Sequence, residues 1–243
     1  MWERSGRWPS TPYRDRSARR RGGIPDTSMT PIRAALCVVL VLGGASACGD
    51  DQGAGKRPDA LSAPQVCDGA LSSAGAEALD RIGGTERFTE IRIADDPDYR
   101  WSLKQAAKDL QADYTDVHEC LLYKASDKSG LPLVTIRFSS DSQHPDPAED
   151  EDGDRLLFPI GLYAAANENF GTSLYFACPA EGPEGRTPYV KAEMYGAPNQ
   201  VDPASTAEDR MTVLNDVSRA LAEEAGCASE ANLPAKLPAP TSG

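Results

Sequence analysis

Leu133-Val134-Thr135-Ile136-Arg137-Phe138-Ser139 is the stretch that decides the fold. In an extended chain successive side chains point to opposite faces, so Val134, Ile136 and Phe138 share one side and Thr135 and Arg137 the other. A strand with one apolar and one polar face belongs in an antiparallel sheet buried on one side only. Tyr189–Tyr195 repeats the pattern, with Val190, Ala192 and Met194 opposite Lys191, Glu193 and Tyr195. Upstream, Glu119–Ala125 joins Leu133–Ser139 through Ser126-Asp127-Lys128-Ser129-Gly130, a plausible hairpin loop. Leu156–Ala166 and Ser173–Cys178 read as a second hairpin around Asn167-Glu168-Asn169-Phe170-Gly171, and Phe88–Ile93 as one more short strand.

Helical spacing flanks these runs. Ser72 or Ser73 can cap a short helix through Ile82 that Gly83-Gly84 ends. Trp101–Asp113 carries Leu103, Ala106, Ala107 and Leu110 at i, i+3, i+4 and i+7. The clearest helix is the last, where Ser205 and Glu208 match a capping box and Met211, Leu214, Val217 and Leu221 form an apolar stripe before Gly226. The order helix–strand–helix, five strands, helix predicts an α+β domain. We expect an antiparallel sheet of about five to six strands, with two to three helices packed against it and two disulfides. Residues 65–227 hold this domain. Residues 48–64, polar and rich in Gly, Pro and Asp, read as a flexible tether. Residues 228–243, with Pro234, Pro238 and Pro240, read as a disordered end or a loose strap.

The N-terminal segment reads as an address. Arg33 precedes the nine apolar residues Ala34–Leu42, and Gly43–Ala47 are small, which is the pattern of an export signal spanning 29–47. Residues 1–28 are arginine-rich without apolar periodicity, so translation is expected to start at Met29, with 1–28 a mis-called start or a basic extension. Ala45-Ser46-Ala47-Cys48 resembles a lipobox, although Ala45 stands where that family usually has Leu. The resemblance implies lipidation of Cys48 and anchoring to the outer face of the cell membrane. The alternative is an ordinary A-x-A cleavage site and release of the chain.

Charge and cysteines narrow the function classes. Residues 1–48 hold eight basic and three acidic side chains, leaving 17 basic and 34 acidic of the chain's 25 and 37. A mature chain near −17 argues against a nucleic-acid partner, which needs a basic face. Beyond Cys37 in the signal and Cys48 at the lipobox there remain Cys67, Cys120, Cys178 and Cys227. Exported chains oxidise such sets, and without a C-x-x-C pair neither a zinc cluster nor a thioredoxin-type role is expected. Three pairings are possible. Cys67–Cys120 with Cys178–Cys227 is favoured because the second bond would pin the last helix to a strand end.

Candidate chemistry is sparse. His118-Glu119-Cys120 lacks the second histidine of the H-E-x-x-H zinc motif. His144 lies among Asp141, Asp146, Glu149, Asp150, Glu151, Asp152 and Asp154, a loop that fails the EF-hand spacing and reads as a solvated acidic surface. No catalytic residue, metal site or cofactor is expected.

The lipobox, Cys67-Asp68-Gly69-Ala70-Leu71-Ser72, Leu174-Tyr175-Phe176-Ala177-Cys178 and Ala225-Gly226-Cys227 together resemble small actinobacterial cell-envelope lipoproteins, some with a PsbP-like sandwich. The resemblance implies an address and a shape, not an activity. The expected function is therefore that of a non-enzymatic binding, accessory or sensing domain, held on the membrane by its N-terminal lipid. Its partner would be an envelope protein or a small ligand. The alternatives are an extracellular hydrolase acting through carboxylates, and a small-molecule or lipid carrier with an apolar cavity between sheet and helices.

Overall fold

The period-two runs pair into one antiparallel sheet, and the period-3.6 runs lie across its apolar face. The computed structural model describes residues 60–90, 100–112, 118–147, 155–182 and 185–241. Cys48, the signal and basic extension, most of the tether, positions 91–93 and the acidic residues from Glu149 to Asp154 lie outside these.

The strands are β1 (Phe88–Glu90), β2 (His118–Lys124), β3 (Val134–Asp141), β4 (Arg155–Leu157), β5 (Tyr163–Asn167), β6 (Gly171–Gly182) and β7 (Gly185–Gly196). They form a seven-stranded sheet in the order β1-β2-β3-β7-β6-β5-β4, antiparallel throughout. The α+β class holds, with one strand more than the count expected. That strand arises because Leu156–Ala166 is not continuous. Pro159 cannot donate to a ladder, and Gly161 adopts φ +58°, where a Cβ would sit 2.4 Å from the Tyr175 carbonyl oxygen. The run therefore turns back on itself as β4 and β5. At the far end of β6 the register shifts between Ala177 and Ala180, around Pro179, as a proline inside a strand requires.

Helices α1 (Ser73–Gly83), α2 (Leu103–Ala112) and α3 (Ala207–Glu224) cover one face of the sheet. Between them and the strands lie Phe88, Phe138, Phe176, Leu79, Ile82, Leu174, Met194, Met211 and Leu214, all fully buried. Ser72 caps α1 by accepting the Gly75 N–H, and Gly84 ends it in the left-handed conformation. The box at the start of α3 is Thr206 with Asp209, not Ser205 with Glu208. Ser205 is held one residue too early, since its N–H closes a turn on the Asp202 carbonyl. Among the described residues no helix is long and apolar enough to cross a membrane.

Both disulfides join the favoured partners, Cys67 with Cys120 and Cys178 with Cys227, at Cα separations of 5.8 and 5.3 Å. The first ties the Cys67-Asp68-Gly69 turn to β2. All three of those residues have positive φ, and the Asp68 carboxylate accepts the Leu103 N–H at the start of α2. The second fastens the segment after α3 to β6.

Residues flanking the domain also make contacts with it. Leu61, placed in the tether, exchanges both backbone hydrogen bonds with Phe88 of β1. The Pro-rich tail runs from the end of α3 to β4. It forms a short helix α4 (Ala228–Ala231) and then a strap whose Pro234 carbonyl accepts from Asn215, whose Leu233 and Leu237 pack on the core, and whose Thr241 pairs with Leu157 of β4. Leu233 and Leu237, four residues apart, anchor the segment despite its prolines.

Cys227→Ser opens a loop of about 50 residues around β7 and α3. It is expected to cost about 3–4 kcal/mol in urea unfolding and to leave one titratable thiol, on Cys178. A loss under about 1 kcal/mol would mean that the strap and α3 hold this end without the crosslink.

Candidate functional site

With the helices on one side, the other face of the sheet carries the polar half of each alternation. Strand pairing arranges these side chains in rows. One row runs Glu119, Arg137, Glu193, Ser173, Ala165 and Leu157 from β2 to β4. Beside it run Ser139, Lys191, Tyr175 and Tyr163. On the other flank lie Tyr195 with Gly171, and Asn167 with Arg155. Three small residues in the middle, Ala165, Ser173 and Gly171, are ringed by large ones. The result is a hollow of about 290 Å³ in the open face, closed on one side by Pro145 from the segment after β3.

A side chain at Gly171 would displace Asn167. A Cβ there would approach Asn167 Nδ2 to 2.9 Å, while the Gly171 N–H donates to Asn167 Oδ1 at 2.8 Å. The β5–β6 turn beneath is pinned from the helix side by Arg210 of α3. Its Nη2 donates to the Asn167 carbonyl at 2.8 Å, and its guanidinium lies 5.4 Å from the centre of the Phe170 ring. Burial, working against the nearby Asp209 and Glu208, holds the Arg210 guanidinium below its ordinary pKa. Phe170 itself sits at φ +60°, so the turn that levels the floor is held by packing against α3.

The walls are aromatic and cationic. Tyr163 and Tyr175 meet edge to face at 5.9 Å, and Arg155 Nη1 donates to the Tyr163 hydroxyl at 3.2 Å. Lys191 Nζ lies 5.7 Å from the Tyr175 ring centre and 2.7 Å from Glu193 Oε1, which also accepts from the Tyr195 hydroxyl at 2.6 Å. Desolvation pulls the Lys191 ammonium down, but Glu193 outweighs it and the net shift is upward, so Lys191 stays charged. Desolvation raises the Tyr175 and Tyr195 phenols, which keeps both protonated donors. Further along the row Arg137 pairs with Glu119, and that hydrogen bond raises the guanidinium's pKa. The two carboxylates on the row thus each face a cation.

Of the residues singled out in the sequence, Asp141 is close enough to Tyr175 to raise its phenol, and neither histidine is among the residues lining the hollow. His144 packs edge-on against Tyr189 at 4.9 Å, with Nδ1 2.8 Å from the Pro145 carbonyl oxygen, and His118 begins β2. Cys67, Cys120 and Glu90 bring their ligand-type atoms within 4.8 Å of one another. The two sulfurs are bonded together, however, and Glu90 Oε1 accepts the Cys67 N–H at 2.5 Å. The residues of the hollow were missed because a polar residue on a strand faces water by default. The available signal was the run of tyrosines on the polar side, Tyr163, Tyr175, Tyr189 and Tyr195. Comparison of the chain with protein-family models, curated proteins and solved structures gave no match in any of the three.

Glu90 gives a test of the buried turn. Desolvation, opposed by the Cys67 N–H and Arg100 and reinforced by Asp68, lifts its carboxyl above the ordinary 4.5. A raised folded-state pKa means that the protonated form favours the native state, so this contribution is complete below 4.5 and lost as pH rises through the folded value. Glu90→Gln removes the titration. The stability of wild type relative to the variant is expected to decline with pH above about 4.5 in urea unfolding at several pH values. A flat difference would mean that Glu90 is better solvated than the fold implies.

Proposed function

We propose that this chain is an extracytoplasmic, lipid-anchored binding domain that holds a small ligand in the hollow on the open face of its sheet. The observation that carries the reading is the hollow itself, with its small-residue floor and its wall of tyrosines, Lys191, Arg155 and Asn167. A few convergent polar groups around a concave surface are what small-ligand sites have in common. Two buried disulfides support an oxidising compartment, and Cys48 with the preceding apolar run supports a membrane anchor.

The rival readings have less behind them. A lipid carrier needs an apolar cavity between sheet and helices, and that space is packed with Phe88, Phe138, Phe176 and Leu174. A carboxylate hydrolase needs two acids converging on one bond. On the open face Glu119 and Glu193 flank Arg137 along one row and face Arg137 and Lys191 respectively.

Screening small molecules from the cell envelope by thermal shift tests the reading, with wild type and Ser173→Leu side by side. A ligand at one hundred times its Kd stabilises by about 2.7 kcal/mol. The leucine side chain would fill the floor without entering the core, so a ligand of the hollow should shift the wild type alone. Equal shifts in both proteins would move the site elsewhere. In parallel, intact mass spectrometry of membrane-associated protein should find an acyl group that Cys48→Ser lacks. A mature wild type without acyl mass ends the anchoring proposal.

A further inference from the structure

We propose that the hollow takes one neutral sugar ring, laid against the exposed ring of Tyr195 with its hydroxyls on Ser173 and Asn167. This rests on the hollow being the ligand site.

Of the three tyrosines lining the hollow, one offers its ring. Tyr163 and Tyr175 are only 4% and 8% exposed, so they build the wall and present little surface. Tyr195 is 47% exposed, one of two large hydrophobic side chains left so open among the described residues. Its cross-strand partner on β6 is Gly171, so no side chain at that position stands against the ring. The Tyr195 hydroxyl donates to Glu193 Oε1 at 2.6 Å, which orients the ring at the rim of the hollow before any ligand arrives. An aromatic side chain already held in place loses little conformational freedom when a ligand stacks on it.

The charged groups of the lining are engaged with one another. Lys191 pairs with Glu193 and lies over the Tyr175 ring, Arg155 is held by the Tyr163 hydroxyl and beyond it, and Asp141 lies near Tyr175. A charged ligand would gain Lys191 or Glu193 as a counter-ion only by breaking their pair. Two polar groups on the floor have no hydrogen bond among the described residues. They are the Ser173 hydroxyl and the amide hydrogens of Asn167, whose oxygen already takes the Gly171 N–H. The amide hydrogens only donate, and the serine hydroxyl both donates and accepts. A ligand hydroxyl also does both, so it answers either group, whereas a bare hydrocarbon ring would cover them and leave them unpaired.

An exposed ring above, unpaired polar groups below and no free charge fit a ligand with an apolar face and a hydroxylated edge. A pyranose has C–H groups on its face and hydroxyls around its rim. A volume of about 290 Å³, at the small end of ligand sites, admits one such ring.

The probes are the methyl glycosides of D-glucose, D-galactose and D-mannose, titrated into the full-length protein with NMR detection at Tyr195, Ser173 and the Asn167 side-chain amide. D-glucuronate supplies a similar ring with a charge, and p-cresol a flat ring with a single hydroxyl. At least one methyl glycoside is expected to perturb all three residues and to bind no more weakly than glucuronate. Tyr195→Ala should weaken it about ten-fold, the upper range for an aromatic contact, and Tyr195→Phe, which keeps the ring, by at most about three-fold. Both variants should unfold near the wild-type temperature, which separates lost stacking from a lost fold. A glucuronate affinity clearly above that of every glycoside overturns neutrality, and tighter binding of p-cresol overturns the sugar class. An affinity untouched by Tyr195→Ala overturns the placement on Tyr195. If no glycoside perturbs the hollow the ligand class falls, and the separate comparison of envelope molecules on wild type and Ser173→Leu then decides the broader reading.

Discussion

One face of the long β6–β7 hairpin lies beneath α3, and the other elements are placed by that contact. Met211, Leu214, Val217 and Leu221 are fully buried on the helix, and Leu174, Phe176, Ala192 and Met194 are fully buried on the strands. An isolated helix of this length is marginal in water, so the packed stripe is what makes α3 a helix. The helix then carries polar anchors for its neighbour. Asp216 accepts from both the N–H and the hydroxyl of Ser72 at the start of α1, and Asp209 pairs with Arg81 near its end. These helices can approach only because position 75 is glycine, where a Cβ would fall 2.2 Å from Asp216 Oδ2. Burying two aspartates costs desolvation, and here both are met by hydrogen bonds from the helix they locate.

Covering one face leaves the other in water, and the alternation that fills the core dictates what the open face shows. Every apolar residue directed at α3 has neighbours directed outward, so the Val190, Ala192, Met194 series sets out Tyr189, Lys191, Glu193 and Tyr195 at regular spacing. The hollow follows from a size mismatch along this lattice, small residues on β5 and β6 beside tyrosines one row away. Arg210 links the two sides, since it belongs to α3 and its hydrogen bond fixes the turn from which β5 and β6 leave. The floor of the open face is thus set from within the core.

This explains which parts of the structure were legible in the sequence. Apolar periodicity is local, so the helices, most of the strands and their buried faces could be read directly. So could the disulfides, once α3 and the end of β6 were placed near each other. The register across β4, β5, β6 and β7 is not local. Ala165, Ser173 and Gly171 become neighbours only when three strands pair, and no spacing along the chain announces it. The other differences share a cause, that a tertiary partner chose between local options. Ser205–Glu208 matches the capping-box pattern by residue type, yet Thr206–Asp209 forms the box, and Arg81 on Asp209 reinforces it. Pro159 and Gly161 sit inside an apolar run that would otherwise continue, and the close Tyr175 carbonyl settles it as a turn.

An antiparallel sheet has two further exposed surfaces, its edges, where unpaired backbone groups invite a strand from another chain. Here one residue from a flanking segment bridges to each outer strand. Leu61 pairs with Phe88 on β1, and Thr241 with Leu157 on β4. The second contact closes a route that begins at the Cys178–Cys227 bond, passes through α4 and the Asn215–Pro234 hydrogen bond, and ends on the outermost strand. Among the described residues one face lies under helices and each outer strand meets one bridging residue, so the open face is the broad surface of the sheet that the described elements leave uncovered. Tyrosines and cations gathered around a small-residue floor are costly to hold there if they serve only solubility, because scattered short polar side chains would suffice for that. Their convergence on one hollow, on a face whose shape is fixed from the core, is the observation on which the proposed binding site rests.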